Sequence, residues 1–299
     1  MRKLSTRVIA ILAAVAMVAI TAPAAGAQRP ERPPGLEKLD LPIPNDVPGY
    51  DRGQAAVNKL GGRIAAVAAG YGFTGRELRD ELLSDPTLTV DDQMQLAYFD
   101  VLAPGETASD TTSAAGPDAA PPTDGPQFQL ASLPGADKTI YLDFDGHTTT
   151  GTTWNGGGTV ISPAYHRSDS DPNNTVDTWS AQELQIIEDS WKVVAEDFAP
   201  WNINVTTIDP GAEALKRSGS GDNQWGVRVV VTSDDWSNCG CGGHAYIGAF
   251  DDSADEPVFV YNTSFRGVSE AITHEVGHAM NLAHDGTQNG TTYYTGHGD

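Results

Sequence analysis

The stretch SAQELQIIEDSWKVVAEDFAPWNINVTT, residues 180–207, holds a complete helix-to-strand transition. Ser180 stands where an N-cap is needed, and Glu183, three positions on, completes a capping box. Leu184, Ile187, Trp191, Val194 and Phe198 follow at steps of three and four, so one side of the helix is apolar along its length. Pro200 ends the helix, and Asn202–Thr207 reads as a strand. A long helix with one apolar side has to bury it, and the neighbouring strands make a sheet the natural partner.

Working outward, Thr139–Asp145 places Ile140, Leu142 and Phe144 on one face, which is a strand pattern. Val227–Thr232, Ala245–Phe250 and Val258–Tyr261 read as further strands, and Gly267–Asn281 as a closing helix. Residues 137–299 are therefore expected to form a mixed α/β domain, with the long helix backing the sheet.

Upstream the character changes. Residues 103–126 are Pro, Gly, Ala, Ser, Thr and Asp with almost no large apolar side chain, so 103–136 is assigned to a disordered linker. Residues 28–102 are taken as a mainly helical, propeptide-like region. A proline-rich arm runs to Pro48, the Ala-rich run Gln54–Gly70 reads as one helix, and Thr74 with Glu77 caps a second over Gly75–Leu83. Residues 1–27 read as a signal peptide: Arg2, Lys3 and Arg7, an apolar run from Val8 to Ile20, then Ala25-Gly26-Ala27. No later run is long and apolar enough to span a bilayer. A secreted protein without stable membrane association after signal cleavage is expected. The 18 Lys+Arg against 40 Asp+Glu, a net charge of -22, argue against nucleic acid, whose phosphates need a basic surface.

The closing helix carries His274-Glu275-Val276-Gly277-His278. Histidines at i and i+4 project from one face a turn apart, so both imidazoles reach a single metal ion. Glu275 stands beside the first ligand, where a carboxylate can take a proton from water on the metal. His284 is the expected third ligand. It lies six residues beyond His278, so the chain has to turn between them, and Asn281 tolerates the left-handed backbone this requires. No glutamate follows Glu275; Asp285, His297 and Asp299 are weaker substitutes.

The run from His274 to Asp285 resembles the extended zinc signature of the metzincin metalloproteases, and its final aspartate is similar to the reprolysin-like and snapalysin-like branches. The resemblance implies a metzincin-like twisted sheet with an active-site helix, one catalytic Zn2+ on His274, His278 and His284, and protein or peptide substrates. Glu275 would be general base for a zinc-activated water attacking the peptide carbonyl. It also implies a substrate-binding edge strand, here Gly243, Ala245, Tyr246 and Ile247, to which a peptide adds as a further strand.

Two departures stand out. Asn281 replaces the usual glycine, and no methionine follows His284, so the Met-turn under the zinc is missing. The resemblance implies that the lower wall of the cleft comes from residues after the third histidine. The sequence is therefore expected to stop short of it and the 299-residue chain to bind zinc weakly.

Cys239 and Cys241 are candidates for a small disulfide. No cysteine lies in residues 28–136, which excludes a cysteine-based block of the metal there. An acidic side chain of that region is expected to fill the open position instead, with nothing in the sequence choosing among them. Asp143 with Asp145, and Asp251, Asp252 and Asp255, are candidates for Ca2+. The alternative to a secreted zinc endopeptidase is a catalytically inactive secreted binding module of the same type. The presence of Glu275 favours the enzyme.

Overall fold

The computed structural model describes residues 43–102, 121–167 and 178–284. The signal peptide, most of the proline-rich arm, residues 103–120 and the stretch after His284 lie outside these. The N-terminal region holds β1 (Asp51–Arg52), α1 (Gly53–Leu60), α2 (Ile64–Gly70), α3 (Gly75–Ser84), β2 (Leu88–Val90) and β3 (Leu96–Val101). After it come β4 (Lys138–Asp143), β5 (His147–Thr149), β6 (Val160–Ser162), α4 (Ala181–Asp197) and β7 (Ile203–Thr206). The chain continues through β8 (Trp225–Val231), β9 (Cys241–Tyr246), β10 (Val258–Val260) and α5 (Phe265–Ala279).

Among the described residues, eight strands form one sheet in the order β1-β2-β3-β9-β10-β8-β4-β7, and β5 with β6 makes a separate hairpin. The β10-β8-β4-β7 half is parallel, whereas the pairs from β10 through β9, β3 and β2 to β1 are antiparallel. The α4 helix starts as its local sequence requires: Glu183 N donates to Ser180 Oγ and Ser180 N to Glu183 Oε2. It packs beside β7, α5 covers β8 to β10, and the two helices touch. Ile187 and Val194 from α4 and Val268, Ile272 and Val276 from α5 bury themselves with Ile140, Leu142, Val205, Val229 and Phe259 of the sheet. Each such side chain removed from water contributes roughly 1.5–3 kcal/mol.

Several expectations need correction. The Ala-rich run is not one helix, because Gly61, at φ 49°, breaks it into α1, a 3₁₀ turn and α2. The strand expected at Ala245–Phe250 begins earlier, at Cys241, and Ala249–Asp251 is a 3₁₀ turn. Residues 121–136, assigned to the linker, are packed. Phe128 is buried, and Leu130 and Ser132 hydrogen-bond to the β7 segment through Thr207 and Val205.

The largest difference lies in the N-terminal region. Besides its helices it contributes three strands, and the sheet runs through them without a break, since β3 pairs along β9. A second apolar cluster (Leu60, Leu78, Leu82, Leu88, Leu96, Tyr98) forms beneath these strands and takes in Ile247, just past β9. The expected substrate strand is therefore not an edge: its free backbone groups are taken by β3, with Asp100 opposite Gly243, Phe99 opposite His244, Tyr98 opposite Ala245 and Ala97 opposite Tyr246. Ile247 N donates to Leu96 O at 2.9 Å.

Candidate metal centre

Helix α5 is capped by Ser264, whose Oγ accepts from Gly267 N at 3.0 Å, and it presents His274 and His278 one turn apart. It ends in a Schellman turn. Asn281 N donates to His278 O, Leu282 N to Gly277 O, and Asn281 sits at φ 69° in the left-handed region. That turn carries the chain back across the helix end and brings His284 beside the other two histidines.

The ring nitrogens are oriented by their outer partners. His278 Nδ1 donates to Leu282 O at 2.8 Å, and His284 Nδ1 donates to Asp85 Oδ2 at 2.8 Å. Each such bond fixes the tautomer that leaves Nε2 with a free lone pair. His274 Nε2 lies 3.1 Å from His278 Nε2 and 3.2 Å from His284 Nε2. The side chain of Asp100, from β3, faces all three: Oδ2 is 3.1 Å from His278 Nε2 and 3.3 Å from His274 Nε2, and Oδ1 is 3.1 Å from His284 Nε2. A tetrahedral zinc site with bonds of about 2.0–2.1 Å has ligand-to-ligand edges of about 3.3 Å. The contacts of 3.1–3.3 Å are close to that spacing and all four donors lie within 4.8 Å of one another, so three imidazoles and a carboxylate could hold one zinc ion.

Tyr98 forms the floor. Its ring stacks on His278 at 4.2 Å between centroids and lies 4.3 Å from that of His284, so an aromatic platform supports the site. Glu275 is buried, and its Oε2 has no hydrogen-bond partner. It lies against Gly243 of β9, where a Cβ would come within 2.5 Å of Glu275 Oε1. Only glycine leaves space for the carboxylate there.

The charges follow the packing. Burial, reinforced by the Asp100 charge, holds the Glu275 carboxyl well above the usual range. Burial also works against ionisation of Asp100, but the His284 charge and the hydrogen bonds of the three histidines outweigh it and keep this carboxyl well below its usual range. Burial opposes the charged form of His284 too, yet Asp100 and Asp85 draw its pKa up to about 11, so a metal ion at Nε2 would have to displace a proton to reach the lone pair.

Of the residues expected at the site, His274, His278 and His284 come together, and Glu275, Gly243, Ala245 and Tyr246 lie on the two elements that face each other there. Asp85, Tyr98 and Asp100 were missed. The available signal was a lone carboxylate closing the apolar run Leu96-Ala97-Tyr98-Phe99, since a charge buried in a strand needs a partner.

Cys239 and Cys241 are joined by a disulfide, with Cα atoms 5.1 Å apart. Their sulfurs and His244 also gather within donor distance, but sulfurs bonded to each other offer no thiolate to a metal. His244 lies among Phe99, Trp154, Trp236 and Phe259, where burial lowers its pKa to about 3. Three of the five aspartates considered for calcium are engaged otherwise: Arg228 bridges Asp143 and Asp255, and Arg217 pairs with Asp251.

Residues 183–285 match the family described as "Metallo-peptidase family M12B Reprolysin-like". This part of the chain is similar to a metzincin-type metallopeptidase domain. The match spans about a third of the sequence and runs from the first turn of α4 through the third histidine. No curated protein and no solved structure matches the chain. The likeness supports zinc-dependent peptidase activity in general terms, with protein or peptide substrates. The mixed sheet, the backing helix α4 and the histidine-bearing helix α5 are consistent with a metzincin-like domain. Among the described residues no helix is long and apolar enough to cross a membrane.

Proposed function

We propose that the chain is a secreted zinc endopeptidase, made with a signal peptide over residues 1–27 and a propeptide-like region over 28–102. The observation that carries this reading is the convergence of three imidazole Nε2 atoms beside a buried glutamate on one helix, facing a glycine-rich strand. His274, His278 and His284 hold the metal. Zinc, when bound, acidifies a coordinated water and polarises a carbonyl. Glu275 takes the proton of the attacking water and passes it to the leaving amine nitrogen. Gly243 leaves the space in which Glu275 can do this. A peptide substrate adds to β9 once that strand is free, using the backbone groups now paired with β3.

The donor sets support one metal in this reading; the aspartates considered for calcium form no gathered donor set among the described residues. The test uses zinc-loaded protein recovered from the culture medium. Glu275→Ala should retain one zinc per chain and lose peptide hydrolysis by about 10²–10⁴-fold. Turnover that survives the substitution would overturn the role of Glu275. Turnover absent from the unaltered protein in all its processed forms would favour the inactive binding module. An N-terminus at Gln28 is the expected mark of export.

A further inference from the structure

The turn into β9 gathers three donor side chains that the zinc-peptidase reading does not use. Cys239 and Cys241 are buried, and a ring nitrogen of His244 lies within 4.8 Å of both sulfurs. His244 is itself fully buried. Tyr261 Oη is 3.3 Å from its Nε2, whereas Nδ1 has no hydrogen-bond partner among the described residues. A buried ring nitrogen left unpaired costs free energy that a bound partner would recover. Burial also keeps this imidazole neutral, so it has a lone pair to offer.

The disulfide adds little to the stability of the fold. One residue separates the cysteines, so the bond constrains the unfolded chain far less than a bridge across a long loop. The reduced pair is accommodated as well. Asp235 Oδ1 lies 3.5 Å from Cys239 Sγ, close enough to accept a thiol hydrogen. Asn238 and Gly240, on either side of Cys239, are exposed, so the bond lies one residue beneath the surface.

We propose that Cys239, Cys241 and His244 form a second metal site, closed while the sulfurs are joined and opened by a dithiol reductant. In the opening step the S–S bond breaks, two electrons and two protons pass from the dithiol to the two sulfurs, and the dithiol leaves as its own disulfide. One thiophilic divalent ion then replaces the two thiol protons and forms two metal–thiolate bonds, with His244 as a neutral third donor. The Cα atoms are 5.1 Å apart, which lets the freed sulfurs reach the edge of about 3.8 Å that a tetrahedral zinc with sulfur ligands at about 2.3 Å requires. The site uses no residue of α5, so it stands whether or not the chain cleaves peptide.

The test uses the full chain, unaltered and with His278→Ala, the latter so that the histidines of α5 do not compete for metal. A dithiol is applied and removed under nitrogen, free thiols are counted, and Co2+ is titrated while the near-ultraviolet charge-transfer band from thiolate to metal is recorded. Both reduced chains should show two free thiols and the band, which should saturate at one equivalent in His278→Ala; the oxidised chains should show neither. Cys239→Ser and Cys241→Ser should each lose the band. His244→Phe keeps an aromatic ring among Phe99, Trp154 and Phe259 and should need more Co2+ to reach it. A disulfide that the dithiol leaves intact in the folded chain, a reduced chain without the band, or a band that vanishes with His278→Ala overturns the proposal. A titration that His244→Phe leaves unchanged overturns the role of His244. If that variant does not fold, coupling between bound cadmium and the His244 ring protons in NMR spectra of the reduced unaltered chain decides the point, and its absence overturns that role.

Discussion

Asp100 Oδ2 lies 3.1 Å from Nε2 of His278, a residue 178 positions further along the chain. One comes from a strand of the N-terminal region and the other from α5, and both are buried. A carboxylate buried among imidazoles needs positive charge to face it. A divalent cation shared by the four side chains would meet that need. The contact also joins the two stretches of sequence into one structure, since β3 could not leave β9 without uncovering the metal donors.

Zinc should stabilise the fold as well as equip it. A ligand that binds only the native state, at a hundred times its dissociation constant, adds about 2.7 kcal/mol. Chelation of the metal is therefore expected to lower the melting temperature by several degrees. His278→Ala and His284→Ala should each abolish stoichiometric zinc after dialysis and remove the chelator effect. Full zinc retention by His284→Ala would show that its place is taken by another donor.

Gly243→Ala is the smallest change expected to disable the site. The added methyl would meet Glu275 Oε1 and Cγ and the Phe259 carbonyl oxygen, none of which lies at the end of a freely moving exposed side chain. Overpacking of this sort costs about 1–3 kcal/mol. The variant should melt lower and, in any form that cleaves peptide, lose activity while keeping zinc, because the three histidines are not displaced. Calorimetry and metal analysis of the same sample check both parts.

Glu256 provides a pH signature away from the metal. Burial raises its carboxyl to about 7, although it accepts hydrogen bonds from Thr153 N and Oγ1. Its folded pKa thus lies above the unfolded one, so the native state favours the protonated form. The stability this group contributes is present below pH about 4.5 and is lost as pH rises to about 7. Glu256→Gln removes the ionisation and should raise stability at pH 8 by on the order of 2 kcal/mol. Its advantage over the unaltered chain should shrink toward pH 5. An advantage independent of pH in urea unfolding would rule this account out.

Arg228 is buried in β8, with Nη1 2.6 Å from Asp143 Oδ2 and Nη2 3.0 Å from Asp255 Oδ2. Burial, with the Asp145 charge nearby, pushes the Asp143 carboxyl up even so. Arg228→Ala would leave two carboxylates without their cation. Breaking a buried pair from one side costs about 3–5 kcal/mol. Denaturant unfolding at pH 7 should show a loss of that order, and part of it should return at lower pH as the two carboxyls take up protons.

What could be read along the chain is what short-range chemistry governs. The capping boxes at Ser180 and Thr74 are present because an N-cap oxygen and a glutamate three residues on meet within one turn, whatever surrounds them. The spacing of His274 and His278, the left-handed Asn281 and the arrival of His284 are local in the same sense. Tertiary structure decided the remainder. The apolar run Leu96–Val101 could be a strand against any neighbour, and only burial of Tyr98 and Phe99 together with the free backbone of β9 selects its partner. Once that pairing forms, register alone sets Asp100 opposite Gly243 and among the histidines, and a slip of one residue would turn it to the other face of the sheet. Sequence by itself thus determined the meeting of three histidines beside a glutamate on one helix and the turn that ends it. The Asp100 carboxylate among the histidines, the outer partner of His284 and the pairing that covers β9 were decided by long-range strand pairing, because no local rule carries information across that distance.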